Sequence, residues 1–122
     1  MNANELVTNY LAAWNELDAA KRRAFVAEAW APNGTYTDPH RKASGLDEID
    51  AMLAATQAGY PGYRVRLISK IEAHNGHVRF SWAAGGTLEA PLYLGGTDFI
   101  RVAPDGRSAA IVGFVDATPA AA

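Results

Sequence analysis

Four side chains carry the chemistry this sequence offers: Asp38, Asp98, Tyr10 and His40. Asp98 alternates with Ile100 and Val102 in a strand-like run. A carboxylate on an apolar strand face is costly to bury unless it is protonated or hydrogen-bonded. Asp38 stands before Pro39, where aspartate is also common as a plain turn residue. His40 follows two residues later and could shuttle protons near neutral pH, or simply be a solvated loop residue. Tyr10 falls on an apolar helical stripe, where a tyrosine is by default a core ring with a satisfied hydroxyl. His74 and His77 flank Asn75-Gly76 without the third ligand that a metal site needs, so neither metal nor cofactor is expected. The serines Ser44, Ser69, Ser81 and Ser108 show no paired His and Asp, and no GxSxG, HExxH, GxGxxG or P-loop pattern occurs.

The chain that must position these groups has 122 residues, 49% of them hydrophobic and 20% charged, which reads as a single globular domain over residues 1–122. The net charge is −2 and the longest basic run is Lys21-Arg22-Arg23, which disfavours nucleic acid as a partner. The absence of cysteine excludes disulfides, thiolate nucleophiles and thiolate-bound zinc. The apolar stretch Ala109-Ala110-Ile111-Val112-Gly113-Phe114-Val115 is far short of the roughly 20 residues of a membrane-spanning helix. Met1-Asn2-Ala3-Asn4-Glu5 lacks a basic region followed by an apolar one, so a cytoplasmic protein is expected and the sequon Asn33-Gly34-Thr35 reads as a turn.

The first half is helical in pattern. Leu6, Tyr10, Trp14 and Leu17 recur at helical spacing; Asp18 caps a second helix over residues 19–30; Pro32-Asn33-Gly34 ends it. Thr35-Tyr36-Thr37 is a short strand stopped by Asp38-Pro39. Ser44-Gly45-Leu46-Asp47 reads as a capping box opening a third helix that ends at Gly59. The second half alternates. Tyr63-Arg64-Val65-Arg66-Leu67 has one buried and one wet face, and Asn75-Gly76 marks a hairpin before Val78, Phe80 and Trp82. Residues 85–91 form a turn region, residues 92–102 a long strand bent at Gly95-Gly96, residues 110–116 the last strand, and the tail from Thr118 is frayed. Helices followed by a strand meander indicate an α+β fold with a curved, mainly antiparallel sheet wrapped around the helices.

The runs Tyr10-Leu11-Ala12-Ala13-Trp14-Asn15, Tyr36-Thr37-Asp38-Pro39, Gly45-Leu46-Asp47-Glu48-Ile49, Gly96-Thr97-Asp98-Phe99 and Asp105-Gly106-Arg107 resemble the nuclear transport factor two-like superfamily, with its ketosteroid isomerases and SnoaL-like polyketide cyclases. The likeness runs from about Glu5 to Asp116 and implies a cone-shaped fold of the cystatin-like α+β barrel type. Its ketosteroid isomerase branch implies three roles: Asp38 as general base, with Tyr10 and Asp98 as donors to a carbonyl oxygen. Such donors answer the negative charge that grows on that oxygen, and burial keeps a carboxylic acid neutral enough to donate. The pattern departs from that branch near Leu53, where a supporting tyrosine would lie.

Two function classes follow. One is a cofactor-independent isomerase, cyclase or dehydratase acting on a small apolar carbonyl compound. The other is a non-catalytic ligand-binding or interaction module of the same fold. For either, an enclosed apolar pocket is expected, lined by Trp14, Trp30, His40, Phe80, Trp82 and Phe114, with Asp38 nearer its mouth than Asp98. The superfamily's epoxide hydrolase variant, with an Asp-Arg-Asp set, fits less well because Arg101 faces away from Asp98 by strand alternation. A last strand that is apolar on both faces predicts a homodimer through the outer face of the sheet.

Overall fold

The computed structural model describes residues 1–85 and 93–116. Of the turn expected over residues 85–91, Gly85 instead ends a strand, paired on both sides; residues 86–91, the strand start at Leu92, the ring of Tyr93 and the tail from residue 118 lie outside the described residues. Three helices pack on one face of a mixed, curved, unclosed seven-stranded sheet. The elements are α1 (Ala3–Asn15), α2 (Ala19–Ala29), β1 (Trp30–Thr37), β2 (Lys42–Ser44), α3 (Leu46–Gly59), β3 (Arg64–Leu67), β4 (Glu72–His74), β5 (His77–Gly85), β6 (Tyr93–Val102) and β7 (Ser108–Val115). The strand path is β2-β1-β7-β6-β5-β3, with β4 paired to β5. All neighbours are antiparallel except β1 and β7.

Local chemistry accounts for the helix ends. Asn2 and Glu5 form a reciprocal capping box on α1, and the Asp18 side chain accepts from Lys21 N at 2.9 Å to open α2. Helix α2 ends one residue earlier than its pattern suggests, because Trp30 takes extended geometry and starts β1. Pro32, Asn33 and Gly34 therefore sit inside that strand, where its register against β7 shifts between Trp30 and Thr35. At α3 the capping position is Gly45, in the left-handed region at φ 83°, and the expected Ser44–Asp47 box does not form: Ser44 N donates instead to Glu48 Oε1 at 3.0 Å. Asn75 and Gly76, both with positive φ, make the tight β4–β5 turn.

Two strand expectations are corrected. Leu67 is exposed, because β3 pairs only with the far end of β5 and lies at the sheet edge. Gly95-Gly96 does not interrupt pairing, since β6 keeps continuous register with β5 past both glycines and shifts only against β7 at Arg101/Val102. Gly96 serves close approach instead: a Cβ there would lie 2.4 Å from both the Trp82 ring and the Phe114 carbonyl oxygen.

The registers set rows across the sheet. Tyr36, Ile111, Ile100 and Val78 are paired in sequence, and all four are buried beneath the helices. One step along, Gly113 pairs with Asp98 and Asp98 with Phe80, while Asp38 continues β1 on the same inner face. The core thus fills one end of the concave face, and the polar groups begin where it stops.

Candidate active site

Asp38 and Arg41 close the β1–β2 hairpin. Their backbones exchange hydrogen bonds (Asp38 N to Arg41 O at 2.9 Å, Arg41 N to Asp38 O at 3.4 Å), leaving a two-residue tip of Pro39 and His40. Opposed residues of an antiparallel pair project to one side, so both side chains follow Tyr36 and Ala43 onto the inner face. Asp38 Oδ2 accepts from the Tyr36 hydroxyl at 2.6 Å and from Arg41 Nη1 at 3.4 Å, and Oδ1 accepts from His40 N at 2.8 Å. Its side chain is only 5% exposed.

Asp98, on β6, is 2% exposed. Its Oδ2 accepts from the Tyr10 hydroxyl at 2.5 Å, and its Oδ1 accepts from Trp82 Nε1 at 2.9 Å. Burial pushes its carboxyl up to about 6 against the pull of these two donors, and the charge of Asp38 adds to the rise. Tyr10 and Tyr36 are both raised above the usual phenol range, first by burial and then by the negative charge of Asp98. Both phenols therefore keep their protons as donors. Gly113 lies between the two carboxylates, and a Cβ there would come within 2.7 Å of Asp98 Oδ1 and 3.4 Å of Asp38 Cβ.

These groups line one cavity of about 40 Å³, with Trp14, Trp82, Leu11, Val65, Ala84, Leu94 and Val115 as apolar wall and Arg41, Thr56 and Tyr63 as further polar members. A water molecule needs on the order of 10–15 Å³ by the same measure, so the cavity admits a small molecule or the end of a larger one.

Of the residues expected to act, the cavity brings together Tyr10, Asp38, Asp98, Trp14 and Trp82. Four others lie elsewhere. Trp30 and Phe80 are fully buried behind Tyr10, with ring centroids 5.4 and 5.7 Å from it, because the helices press them into the core. Phe114 is 56% exposed on the outer face, since β7 alternation turns Ile111, Gly113 and Val115 inward. His40 occupies the exposed hairpin tip and contributes its backbone N–H to Asp38. Tyr36 and Arg41 were missed. The two-residue period of the strand through Tyr36 and Asp38 carried the signal for the first, and the length of the Pro39-His40 loop carried it for the second. Tyr36 supplies a second tyrosine where the third helix offers only the buried Leu53.

A curved sheet over three helices, with acidic and phenolic groups at the open end of its concave face, defines an NTF2-like α+β protein. Residues 7–115 match the SnoaL-like domain, and the chain belongs to that family. A provisionally named isomerase of the SnoaL-like family from Agrobacterium tumefaciens strain C58 is 38% identical, with a TM-score of 0.87 over 93% of this chain and 96% of that one. A provisionally named SnoaL-like polyketide cyclase from Jannaschia sp. CCS1 is 17% identical, with a TM-score of 0.71 over 93% and 86% of the two chains. An NTF2-like protein of unknown function from Exiguobacterium sp. 255-15 is 14% identical, with a TM-score of 0.76 over 93% and 99%. The latter two share the fold alone. No curated protein sequence matches the chain. Among the described residues no helix is long and apolar enough to cross a membrane.

Proposed function

We propose that this protein is a cofactor-independent enzyme of isomerase or cyclase type that moves a proton beside the carbonyl of a small, largely apolar compound. The observation that carries the reading is the pair of unequal carboxylates in one cavity. Asp98 is buried and held to about 6, whereas three donors point at Asp38. Burial favours the protonated form of Asp98 and suits it to donate, while the three donors around Asp38 orient its carboxylate. Asp38 takes the proton from the carbon next to the carbonyl, and the electron pair of that C–H bond passes to the carbonyl oxygen as an enolate. Asp98 in its protonated form hands a hydrogen bond to Tyr10, whose own hydroxyl turns to that oxygen and offsets the growing charge. Return of the proton from Asp38 to a different carbon completes an isomerisation; attack of the enolate carbon on a second carbonyl carbon, whose π electrons pass to its oxygen and take the proton back from Asp38, completes a cyclisation. The Agrobacterium relative's provisional name as an isomerase supports this class.

The test is proton exchange in D2O, followed by NMR over a panel of small ketones and β-dicarbonyl compounds. Exchange beside the carbonyl at a rate above buffer, lost in Asp38→Asn, supports the reading. A panel without enzyme-dependent exchange overturns it and leaves the ligand-binding module.

We also propose that two copies pair through the outer face of the sheet. Phe99, Val112 and Phe114 are 43%, 38% and 56% exposed there, and the rings of Phe99 and Phe114 meet edge to face at 6.0 Å. Contiguous apolar surface of this kind favours a partner, and a two-fold arrangement satisfies both copies with one patch.

A further inference from the structure

Arg41 is the only cation that lines the cavity among the described residues, and it stands beside one of its two carboxylates, Asp38. Its position does not depend on Asp38 alone. The hairpin fixes its backbone, and its Nε donates to Thr56 Oγ1 at 3.0 Å, while that hydroxyl donates in turn to Met52 O at 2.9 Å within α3. The bond to Asp38 is long, 3.4 Å, and uses one terminal nitrogen. A guanidinium built to neutralise a carboxylate favours the paired, bidentate arrangement, and this one does not adopt it. Among the described residues the other terminal nitrogen, Nη2, has no hydrogen-bond partner. The side chain is 25% exposed, which sets it at the opening of the cavity and away from the buried Asp98. Tyr63, half-buried, lines the same opening and lies close enough for the Arg41 charge to act on its hydroxyl.

We infer that Arg41 is a specificity-determining residue that receives a carboxylate on the outer end of the substrate, so that the substrate class is a small keto acid. The Asp38 carboxylate repels an anion that goes deeper, and among the described residues Arg41 is the one lining cation that can receive it at the cavity opening. The same arrangement orients the molecule. Its carboxylate is held outward by the free edge of the guanidinium, and its carbonyl is directed inward to Tyr10 and Asp98. Because the inward half of this orientation rests on the proposed carbonyl chemistry, binding and exchange must be read separately.

The experiment compares levulinate with its uncharged analogue levulinamide, using the fluorescence of Trp14 and Trp82 for equilibrium affinity and D2O exchange for chemistry. In the wild-type protein levulinate binds at least about tenfold more tightly, the worth of one charge-assisted contact. In Arg41→Met the gap closes while the affinity for levulinamide is kept. Thr56→Val, which retains the cation and withdraws its anchor, narrows the gap and guards against misfolding of the first variant. Equal affinity for the two probes in the wild type, failure of levulinate to bind, or a gap that survives Arg41→Met overturns the inference. Equal loss of both probes in Arg41→Met also overturns it, since Arg41 would then serve only to hold Asp38. A gap without exchange leaves the role of Arg41 standing and removes the proton-transfer reading; exchange without a gap does the reverse.

Discussion

The hydroxyl of Tyr10 donates to Asp98 Oδ2 at 2.5 Å, tying the first helix to the sixth strand at the floor of the cavity. In this geometry the phenol faces a charged acceptor, and protonation of Asp98 releases it toward a ligand. Tyr10→Phe removes that donor and lowers kcat by about 10²–10³, as loss of an oxyanion contact typically does. A loss much smaller than this in steady-state kinetics would separate Tyr10 from the reaction.

The same bond sets a pH dependence. In the proposed reaction Asp98 acts in its protonated form, so kcat/KM is expected to fall as pH rises through about 6, where its carboxyl ionises. Asp98→Asn keeps an N–H donor at every pH and flattens that limb. A pH–rate profile with the limb unchanged in the variant would assign it to another group.

Stability follows with its own sign. The carboxyl is raised from 3.8 to about 6 on folding, so its contribution is present at low pH and lost as pH rises through the folded value. At about 1.4 kcal/mol for each pH unit, ionised Asp98 destabilises the fold by roughly 3 kcal/mol above that window. Asp98→Asn, which can accept from Trp82 and donate to Tyr10, therefore melts higher than the wild type at pH 8 and gains little at pH 4. Thermal unfolding across the pH range measures the difference.

Asp38→Asn keeps the shape of the side chain and its place at the hairpin, but removes the carboxylate proposed as the base. Turnover drops by about 10²–10⁴, the usual worth of general base catalysis. Binding of a phenol that mimics the enolate is retained in calorimetry. Loss of binding and turnover together would make Asp38 a structural residue.

The two inward glycines separate packing from chemistry. A Cβ on Gly96 meets backbone and a tightly placed ring at 2.4 Å, so Gly96→Ala costs about 3 kcal/mol in chemical denaturation. A Cβ on Gly113 meets the end of the Asp98 side chain at 2.7 Å, which can swing away. Gly113→Ala thus costs less stability and displaces Asp98 from Trp82, shifting the acid limb of the rate profile.

On the outer face, Phe114→Glu places a charge in the exposed apolar patch and yields monomer by light scattering where the wild type gives dimer. A wild-type mass near 13.0 kDa at micromolar concentration would remove the dimer.

The helices and long strands were legible because their signals are local: apolar spacing, Asp18 as a cap, and Asn75-Gly76 as a turn. The fold and three of the polar cavity residues were legible through the family likeness of the Tyr10, Asp38 and Asp98 runs. What escaped depends on tertiary direction. Trp30, Phe80 and Phe114 are apolar and aromatic like Trp14 and Trp82, and only the sheet register decides which rings face core, cavity or solvent. Arg41 escaped because β2 has three residues and no alternating pattern long enough to be read.

The hairpin that carries Asp38 and Arg41 has a further consequence for change in the chain. One carboxylate and one cation reach the cavity because two residues separate them, whatever those two residues are. Substitution of Pro39 or His40 leaves both in place, whereas insertion of a single residue between them puts the following segment out of phase and turns Arg41 toward solvent. The charge pairing at the opening is therefore written in loop length, and a relative with a longer tip would have to find its cation elsewhere or accept an uncharged ligand.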